Sequence, residues 1–427
     1  MQRRTFLKLG GGVAGTSALA GCTGRLGGDS GGGGDGGGSG SVNESGSNGT
    51  ANGSAGGSAS GGSGPITIGA IEPLSGGFTP WGQAHRAGLE FAVSEINSSG
   101  GVNGREIELV VEDTASDATE ADSIFRRMVE GDGAVAITGP VSSDVGIRTA
   151  RTAEELQVPL LLHMSGADEV LTRDSRYTFR VGLLPASTTM EAQGQLISDA
   201  GYERIGAVIG DYAWGQSIRS GIEKSVDTDV QVQVAPLGAD DFKPFIRNIS
   251  QDVEMMIATG HPPGTITIAQ QQFQLGYQPE VTTGPSIPPG VIWGALGADA
   301  TMGVTHIHLT DVYSREFADV AGRFAEQNDA LMSTHEGYGY VTGQMLATAV
   351  ADAGSTDPTA VADTVRGIEF DTIYANPIQY TEWGELKNQR QVYSRFQTGA
   401  PGYYGDVDWN LAEEFRTDPL APAEPGQ

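Results

Sequence analysis

Five loops of this chain, each rich in Ser, Gly, Pro or aromatic residues, directly follow short apolar runs. They span residues 74–81, 138–144, 163–167, 211–215 and 260–264. The residues in them that are suited to binding a small solute are Trp81, Ser143, Ser165, Gly166, Asp211 and Trp214. Hydroxyl and backbone N–H groups hold the polar atoms of a solute, and indole rings cover its apolar surface. The chemistry expected here is therefore non-covalent recognition.

Ser143 stands in a Ser/Asp-rich turn that opens a predicted helix. Unpaired backbone N–H donors and the positive end of the helix dipole attract an anion at such a position. Ser142, Ser143 or Asp144 is also suited to capping the helix, and the two roles are compatible. Trp81 and Trp214 follow strand ends in glycine-containing loops, which favours a place in a cleft over a place in the core.

The motifs of common catalytic sites are absent from residues 65–427. This part of the chain holds no G-x-S-x-G elbow and no G-x-x-x-x-G-K-[ST] loop. His335 and Glu336 are followed by Gly-Tyr-Gly and so do not complete a zinc-binding H-E-x-x-H motif. The glycines after them lack the spacing of a dinucleotide loop. The sequence thus predicts a binding protein, not an enzyme, with no catalytic residue, cofactor or metal.

The chain is strongly acidic and poor in lysine. It carries 53 Asp and Glu residues against 25 Lys and Arg residues, for a formal charge of −28. Such a charge repels nucleic acid and anionic membrane surfaces, so neither is an expected partner. An acidic surface suits a protein that stays hydrated in molar salt, where the Debye length is about 3 Å. We therefore expect a salt-loving, haloarchaeal source.

The N-terminal residues predict export and lipid attachment. Arg3 and Arg4 precede a glycine-rich apolar run, which is the layout of a twin-arginine signal. The run ends in Leu-Ala-Gly before Cys22, which resembles the lipobox of exported lipoproteins, and Cys22 is the single cysteine of the chain. Residues 23–64 are almost wholly small and polar and form a predicted disordered linker. We expect a lipid anchor at Cys22 on the outer face of the cytoplasmic membrane.

Short apolar runs alternate with amphipathic segments of helical length from residue 65 to about residue 405. This alternation predicts an α/β fold with helices covering mostly parallel sheets, and its length predicts two doubly wound lobes. Lobe I is expected at 65–181 and 309–377 and lobe II at 182–308 and 378–405, with a loosely held tail at 406–427. Because ligands bind beyond the carboxyl ends of parallel strands, the five loops are expected to line one cleft.

The order and spacing of several motifs resemble the leucine/isoleucine/valine-binding family, the type I solute-binding proteins of ABC importers. The motifs are P-L-S-G after the first strand, A-x-x-x-I-N-x-x-G-G-V-x-G at 92–104, G-P-x-x-S at 139–143 and D-Y-x-W-G at 211–215. The resemblance implies two lobes joined by a three-strand hinge and closing on a small solute for an ABC permease. It implies a carboxylate contact at Ser143 and in the loop of Ser165 and Gly166, and aromatic covers at Trp81 and Trp214.

One position departs from the family pattern. Its amino-acid binders place a glutamate in a G-P-E-G turn to pair with the ammonium group of the ligand, whereas here the run is Gly-Pro-Ser-Ile and Ser286 stands instead. Asp211 and Glu336 are alternative anionic partners, or solvated surface carboxylates. The solute is accordingly an amino acid, an amide, a urea-like compound or an organic acid. A ligand-sensing receptor with the same cleft is the alternative function.

Overall fold

A computed structural model describes residues 64–284 and 286–425. The predicted signal, Cys22, and the linker up to residue 63 lie outside the described residues. A first sheet has five strands in the order β2-β1-β3-β4-β5, and each neighbouring pair is parallel. Its strands are β1 (Ile66–Glu72), β2 (Ile107–Asp113), β3 (Ala136–Thr138), β4 (Leu160–Leu162) and β5 (Thr178–Arg180).

A second sheet has seven strands in the order β12-β11-β10-β9-β8-β6-β7. Its strands are β6 (Ile205–Gly210), β7 (Val230–Ala235), β8 (Met255–Thr259), β9 (Val281–Thr283), β10 (Val304–His308), β11 (Val392–Thr398) and β12 (Trp409–Arg416). The pairs from β7 to β10 are parallel, and the last two strands add to the edge in antiparallel fashion. The predicted α/β class with two mostly parallel sheets is thus confirmed.

Eleven α-helices accompany the sheets in the described part of the chain. They are α1 (Thr79–Ser98), α2 (Ala118–Glu130), α3 (Ser143–Leu156), α4 (Ala186–Ala200), α5 (Ala213–Ser225), α6 (Lys243–Arg247), α7 (Gly264–Gln274), α8 (Pro289–Thr301), α9 (Arg315–Asn328), α10 (Thr334–Ala353) and α11 (Pro358–Gly367). Within residues 64–425 no helix combines the length and the apolar character needed to cross a membrane.

Alternating side chains of the first sheet supply two separate cores. Leu160 and Leu162 of β4 pack with Phe125 of α2 on one face, whereas Leu161 between them belongs to the core on the other face. This alternation follows from the two-residue period of a strand. With both faces buried, the strands are apolar throughout, as is typical of a parallel sheet between helices.

Three connections link the two sheets. The chain passes from β5 to α4, from β10 to α9, and from α11 to β11. The residues Pro-Ile-Gln-Tyr at 377–380 suggest a third crossing strand from sequence, but they make only isolated bridges, Ile378 with Phe370 and Tyr380 with Leu386. Helices α9 and α10 pack back on α1, where Arg323 of α9 binds Glu95 with an N–O distance of 2.7 Å. The lobe boundaries at residues 181, 308 and 377 stay predictions.

The expectation of a loosely held tail from residue 406 is wrong. Residues 409–416 form β12 and pair with β11 along its whole length, and Leu420 beyond them is buried. Arg416 binds Asp311 through two hydrogen bonds of 2.8 and 3.0 Å. The C-terminal residues therefore complete the second sheet.

Candidate functional site

The predicted loops of the two lobes meet at the carboxyl ends of the parallel strands. Phe78, in the loop after β1, packs edge-to-face on His261, in the loop after β8, with ring centroids 5.2 Å apart. A Cβ atom on Gly77 would lie 2.9 Å from the carbonyl oxygen of Pro262. Gly166 gives room to Trp214, whose ring would collide with any side chain at that position. The lobes therefore touch across the predicted cleft.

Ser143 joins the second and third loops. It is the first residue of α3 and is buried, and its Oγ accepts a hydrogen bond of 3.1 Å from the backbone N–H of Ala167. Because a hydroxyl also carries one proton, Ser143 can still donate to a ligand. No side chain caps the start of α3, so its first backbone N–H groups are free to bind the same ligand as the Ser143 hydroxyl. This arrangement suits a carboxylate.

Ser165 has a structural task within the same loops. Its Oγ lies 3.1 Å from the carbonyl oxygen of Pro140 and 3.0 Å from that of Ser142, and its single proton is shared between them. The hydroxyl thereby ties the loop after β4 to the start of α3. A ligand contact of Ser165 stays a prediction that its hydrogen bonds do not favour.

Arg180, the last residue of β5, holds the loop of Ser165 and Gly166 in position. Its guanidinium donates to the carbonyl oxygens of Ser165 and Ala167, the latter at 2.8 Å, and its Nε lies 2.8 Å from Oε2 of Glu385. Both charged side chains are buried. Burial raises the pKa of Glu385, and the charge of Arg180 opposes that shift. The ion pair of Arg180 and Glu385 thus ties this loop to the segment that precedes β11.

Trp214 lies at the start of α5 and is only 5% exposed. Its indole N–H has no hydrogen-bond partner among the described residues. A buried donor without a protein acceptor is uncommon in folded proteins, and this one is available to a ligand. The edge of its six-membered ring packs on Gly166, so the indole lies against the loop of Ser165 and Gly166.

Trp81 and Ser286 bind each other directly. The Nε1 atom of Trp81, on α1, donates a hydrogen bond of 2.6 Å to the carbonyl oxygen of Ser286, in the loop after β9. The Oγ atom of Ser286 lies 3.2 Å from Nε2 of His335, at the start of α10. All three side chains are buried.

Asp211 and Glu336, the two carboxylates considered as partners of an ammonium group, already accept hydrogen bonds at the starts of their own helices. Asp211 is exposed and accepts a hydrogen bond from the side chain of Gln216. Glu336 accepts hydrogen bonds from the hydroxyl and the backbone N–H of Ser333, the latter at 2.8 Å, in a capping box. Burial raises the pKa of Glu336. A ligand contact for either residue stays a prediction.

Two polar arrangements were not predicted from the sequence, although His163 and His261 were each considered there as possible donors to a ligand. Tyr212 packs on His261 with ring centroids 5.0 Å apart. Burial lowers the pKa of His261 and raises that of Tyr212, and the carboxylate of Asp144 favours the protonated form of both. Asp144 lies in the first turn of α3, directly after Ser143, and is exposed. Its place in the loop of Ser143 was the available signal.

The second missed feature is a buried chain of one glutamate and three histidines. Oε1 of Glu72 lies 2.6 Å from Nδ1 of His85, whose ring stacks on that of His163 with centroids 4.2 Å apart. Nε2 of His163 lies 3.0 Å from Nδ1 of His335. Burial lowers the pKa values of His163 and His335 well below their ordinary range and raises that of Glu72. We call these four residues the histidine chain.

The ligand atoms of Glu72, His85 and His163 lie within 4.8 Å of one another, as a metal site would require. However, the imidazole planes of His85 and His163 are only 20° apart, so their in-plane lone pairs run side by side instead of converging. Nδ1 of His85 is also already bonded to Glu72. The geometry fits a hydrogen-bonded network better than a metal centre.

A cavity of about 860 Å³ lies beside two of these loops, next to the residues that follow positions 167 and 215. Its lining includes Asp168, Arg173, Ser187, Lys224 and Glu424. None of the eight predicted ligand residues contributes to it, so its size does not identify the solute site.

Comparison with known proteins places the chain among solute-binding proteins. A family model described as periplasmic binding protein matches residues 65–395. The chain is 26% identical over 335 residues to the leucine-, isoleucine-, valine-, threonine- and alanine-binding protein of Pseudomonas aeruginosa, which covers 76% of this chain and 87% of that protein.

Two solved structures share the fold. A leucine-binding protein from Thermotoga maritima has a TM-score of 0.70 and 20% identity, and the match covers 83% of this chain and 99% of that chain. A solute-binding protein of an ABC transporter from R. palustris, in complex with benzoate, has a TM-score of 0.72 and 19% identity, with coverages of 85% and 99%. These likenesses confirm the predicted two-lobe type I periplasmic binding fold.

Proposed function

Because this chain belongs to the periplasmic binding protein family, we propose that it is the solute-binding component of an ABC importer. In this proposal it captures an amino acid or a related small polar solute between its lobes and delivers it to a permease. Twin-arginine export and a lipid attached to Cys22 would keep it at the outer face of the cytoplasmic membrane. Release of the Cys22→Ser variant from the membrane fraction is the test of the anchor.

The observation that carries the proposal is a set of donors without a shared acceptor at the place where the lobes meet. The hydroxyl of Ser143 and the first N–H groups of α3 belong to this region, and Trp214, whose ring packs on Gly166, carries a further N–H without an acceptor among the described residues. A carboxylate accepts several hydrogen bonds at once and is attracted by the start of a helix. The donors therefore favour a solute that carries a carboxylate.

The walls of the cleft favour an apolar body on that solute. The rings of Phe78, Tyr212 and Trp214 come from both lobes, and pockets lined by such rings bury most of a small ligand. The Pseudomonas relative is named for amino acids and the R. palustris structure holds benzoate, and both kinds of solute carry a carboxylate. They differ in the ammonium group.

Two structural details bear on that difference. Ser286 has no carboxylate to offer an ammonium group and is already bonded to Trp81 and His335. Asp144 is exposed in the first turn of α3, and its charge favours the protonated forms of His261 and Tyr212, so it is a candidate partner for an ammonium group beside Asp211 and Glu336. In this proposal the ammonium group of an amino acid binds Asp144, whereas an organic acid without an amine does not need that residue.

A thermal-melt panel of the purified chain tests the proposal. A ligand that binds only the folded state adds RT ln(1 + [L]/Kd), or about 2.7 kcal/mol at a concentration of 100 Kd. We expect higher melting temperatures with leucine, isoleucine, valine or benzoate and no change with urea or simple amides. A shift for amino acids that disappears in Asp144→Asn identifies the ammonium partner. Silence for every carboxylate would contradict the proposal and favour a sensor of another solute.

A further inference from the structure

Ser286 belongs to the second lobe by its place in the chain, yet both of its hydrogen bonds cross to the first lobe. It follows β9 of the second sheet, while Trp81 lies on α1 and His335 on α10, which pack together beside the first sheet. The donor–acceptor distances are 2.6 Å to Trp81 and 3.2 Å to His335. One residue thus receives contacts from two helices of the opposite lobe.

We propose that Trp81, Ser286 and His335 form a latch that holds the two lobes closed. In this role Ser286 is a positioning residue that brings the lobes together and does not contact the solute. The latch deepens the proposed function, because closure matters only if the cleft captures a solute. Its existence can nevertheless be measured without any solute.

The first-lobe half of the latch is held in place before closure. The histidine chain fixes the ring of His335, because its Nδ1 is bonded to His163 and His163 is stacked on His85. Glu72 holds His85 in turn. The indole of Trp81 packs against Phe78 with ring centroids 5.7 Å apart. Both groups therefore present their nitrogen atoms to Ser286 with little loss of side-chain freedom on closing, which strengthens the contact.

Because they are buried, the hydrogen bonds of Ser286 to Trp81 and His335 should shift the equilibrium between the open and closed forms towards the closed form. Ser286 is 1% exposed and His335 is fully buried in the closed arrangement. A typical buried hydrogen bond contributes enough to change such a ratio by about three- to tenfold. If closure kept the lobes together without these bonds, the carbonyl oxygen and the hydroxyl of Ser286 would be left unsatisfied.

The test measures the distance between the lobes by double electron–electron resonance on the full-length chain without added solute. Spin labels are attached at Gln83→Cys on α1 and Leu237→Cys after β7, both exposed, in a Cys22→Ser background. The parent should show a population at the short distance of the closed form. Trp81→Phe, which keeps a ring but loses the N–H, and Ser286→Ala should each lower the closed-to-open ratio about three- to tenfold.

Two matched variants control for general effects of the substitutions. Thr282→Val removes a buried hydrogen bond of 2.7 Å from the side chain of Gln272, which joins α7 to β9 within the second lobe. Trp293→Phe alters an indole that stacks within the second lobe on Phe396. Both should leave the distance distribution unchanged even if they lower the melting temperature.

Three results would overturn the latch. They are a parent without the short distance, latch variants whose distributions match the parent, and control variants that open the lobes as much as the latch variants do. None of them depends on which solute binds. A failed solute panel combined with a working latch would instead reject the proposed solute class while leaving the latch intact.

Discussion

At the scale of single residues, two serines on neighbouring loops have different uses. The proton of Ser165 is shared between two backbone carbonyl groups, whereas Ser143 accepts from a backbone N–H and keeps its proton free for another acceptor. The two side chains have the same chemistry and are almost equally buried. Their hydrogen bonds, and not their residue type, separate a loop tie from a candidate solute contact.

Ser143→Ala should therefore weaken solute binding more than it weakens the fold. A hydrogen bond to a charged group contributes about 1.5–3 kcal/mol, which corresponds to a loss of affinity of roughly 10- to 150-fold. Isothermal titration with the solute that gives the largest thermal shift measures it. Ser165→Ala is the matched comparison and should mainly lower the free energy of unfolding, by about 1–3 kcal/mol. Equal affinities for Ser143→Ala and the parent would remove Ser143 from the site.

The rule that ligands bind beyond the carboxyl ends of strands brought Ser143, the 165–166 loop and Trp214 to attention from sequence. The structure brings these loops together. The histidine chain could not be predicted in the same way, because Glu72, His85, His163 and His335 are far apart in sequence and share no motif. Trp81 and Ser286 were predicted separately as ligand contacts, and only the fold shows that they bind each other.

At the scale of elements, the first lobe depends on the close approach of α1 and α10. A Cβ atom on Gly339 would overlap the carbonyl oxygen of His85, and one on Gly88 would overlap that of Glu336. The helices touch backbone to backbone at these glycines. Because His85 and His335 lie on these two helices, the same contact sets the spacing of the histidine chain.

Gly339→Ala should push the two helices apart and lower the free energy of unfolding by about 1–3 kcal/mol, the usual cost of overpacking. Gly322→Ala on α9 is the matched control, since a Cβ atom there meets no atom within 4 Å. Alanine is the better helix former, so the control should be neutral or more stable by up to about 1 kcal/mol. Urea unfolding measures both variants. A Gly339→Ala protein as stable as its parent would show that the helices can separate without loss.

The sequence predicts a helix at residues 315–328, and α9 spans the same residues. Helix α8 was missed because its residues are nearly all apolar or glycine and give no amphipathic pattern. Strand β12 was missed because it is rich in charge and lies beside Pro-rich residues. Its pairing with β11 and the ion pairs of Arg416 are tertiary contacts that local sequence does not encode.

At the scale of the whole molecule, the excess of 28 negative charges opposes compactness. Like charges on a closed surface repel each other over the Debye length, which is about 10 Å at 0.1 M salt and about 3 Å at 1 M. Closure of two acidic lobes meets the same repulsion. Salt should therefore favour both the folded state and the closed form.

The melting temperature should accordingly rise with KCl at pH 7, and most steeply below about 0.5 M, where added salt shortens the Debye length most. The same salt series at pH 5, nearer the isoelectric point of about 4.4, is the control, because fewer net charges remain to be screened there. Differential scanning calorimetry measures both series. A similar slope at the two pH values would assign the effect to exclusion of salt from the protein surface. A melting temperature that falls with KCl would contradict adaptation to high salt, because the acidic surface would then be stable without screening.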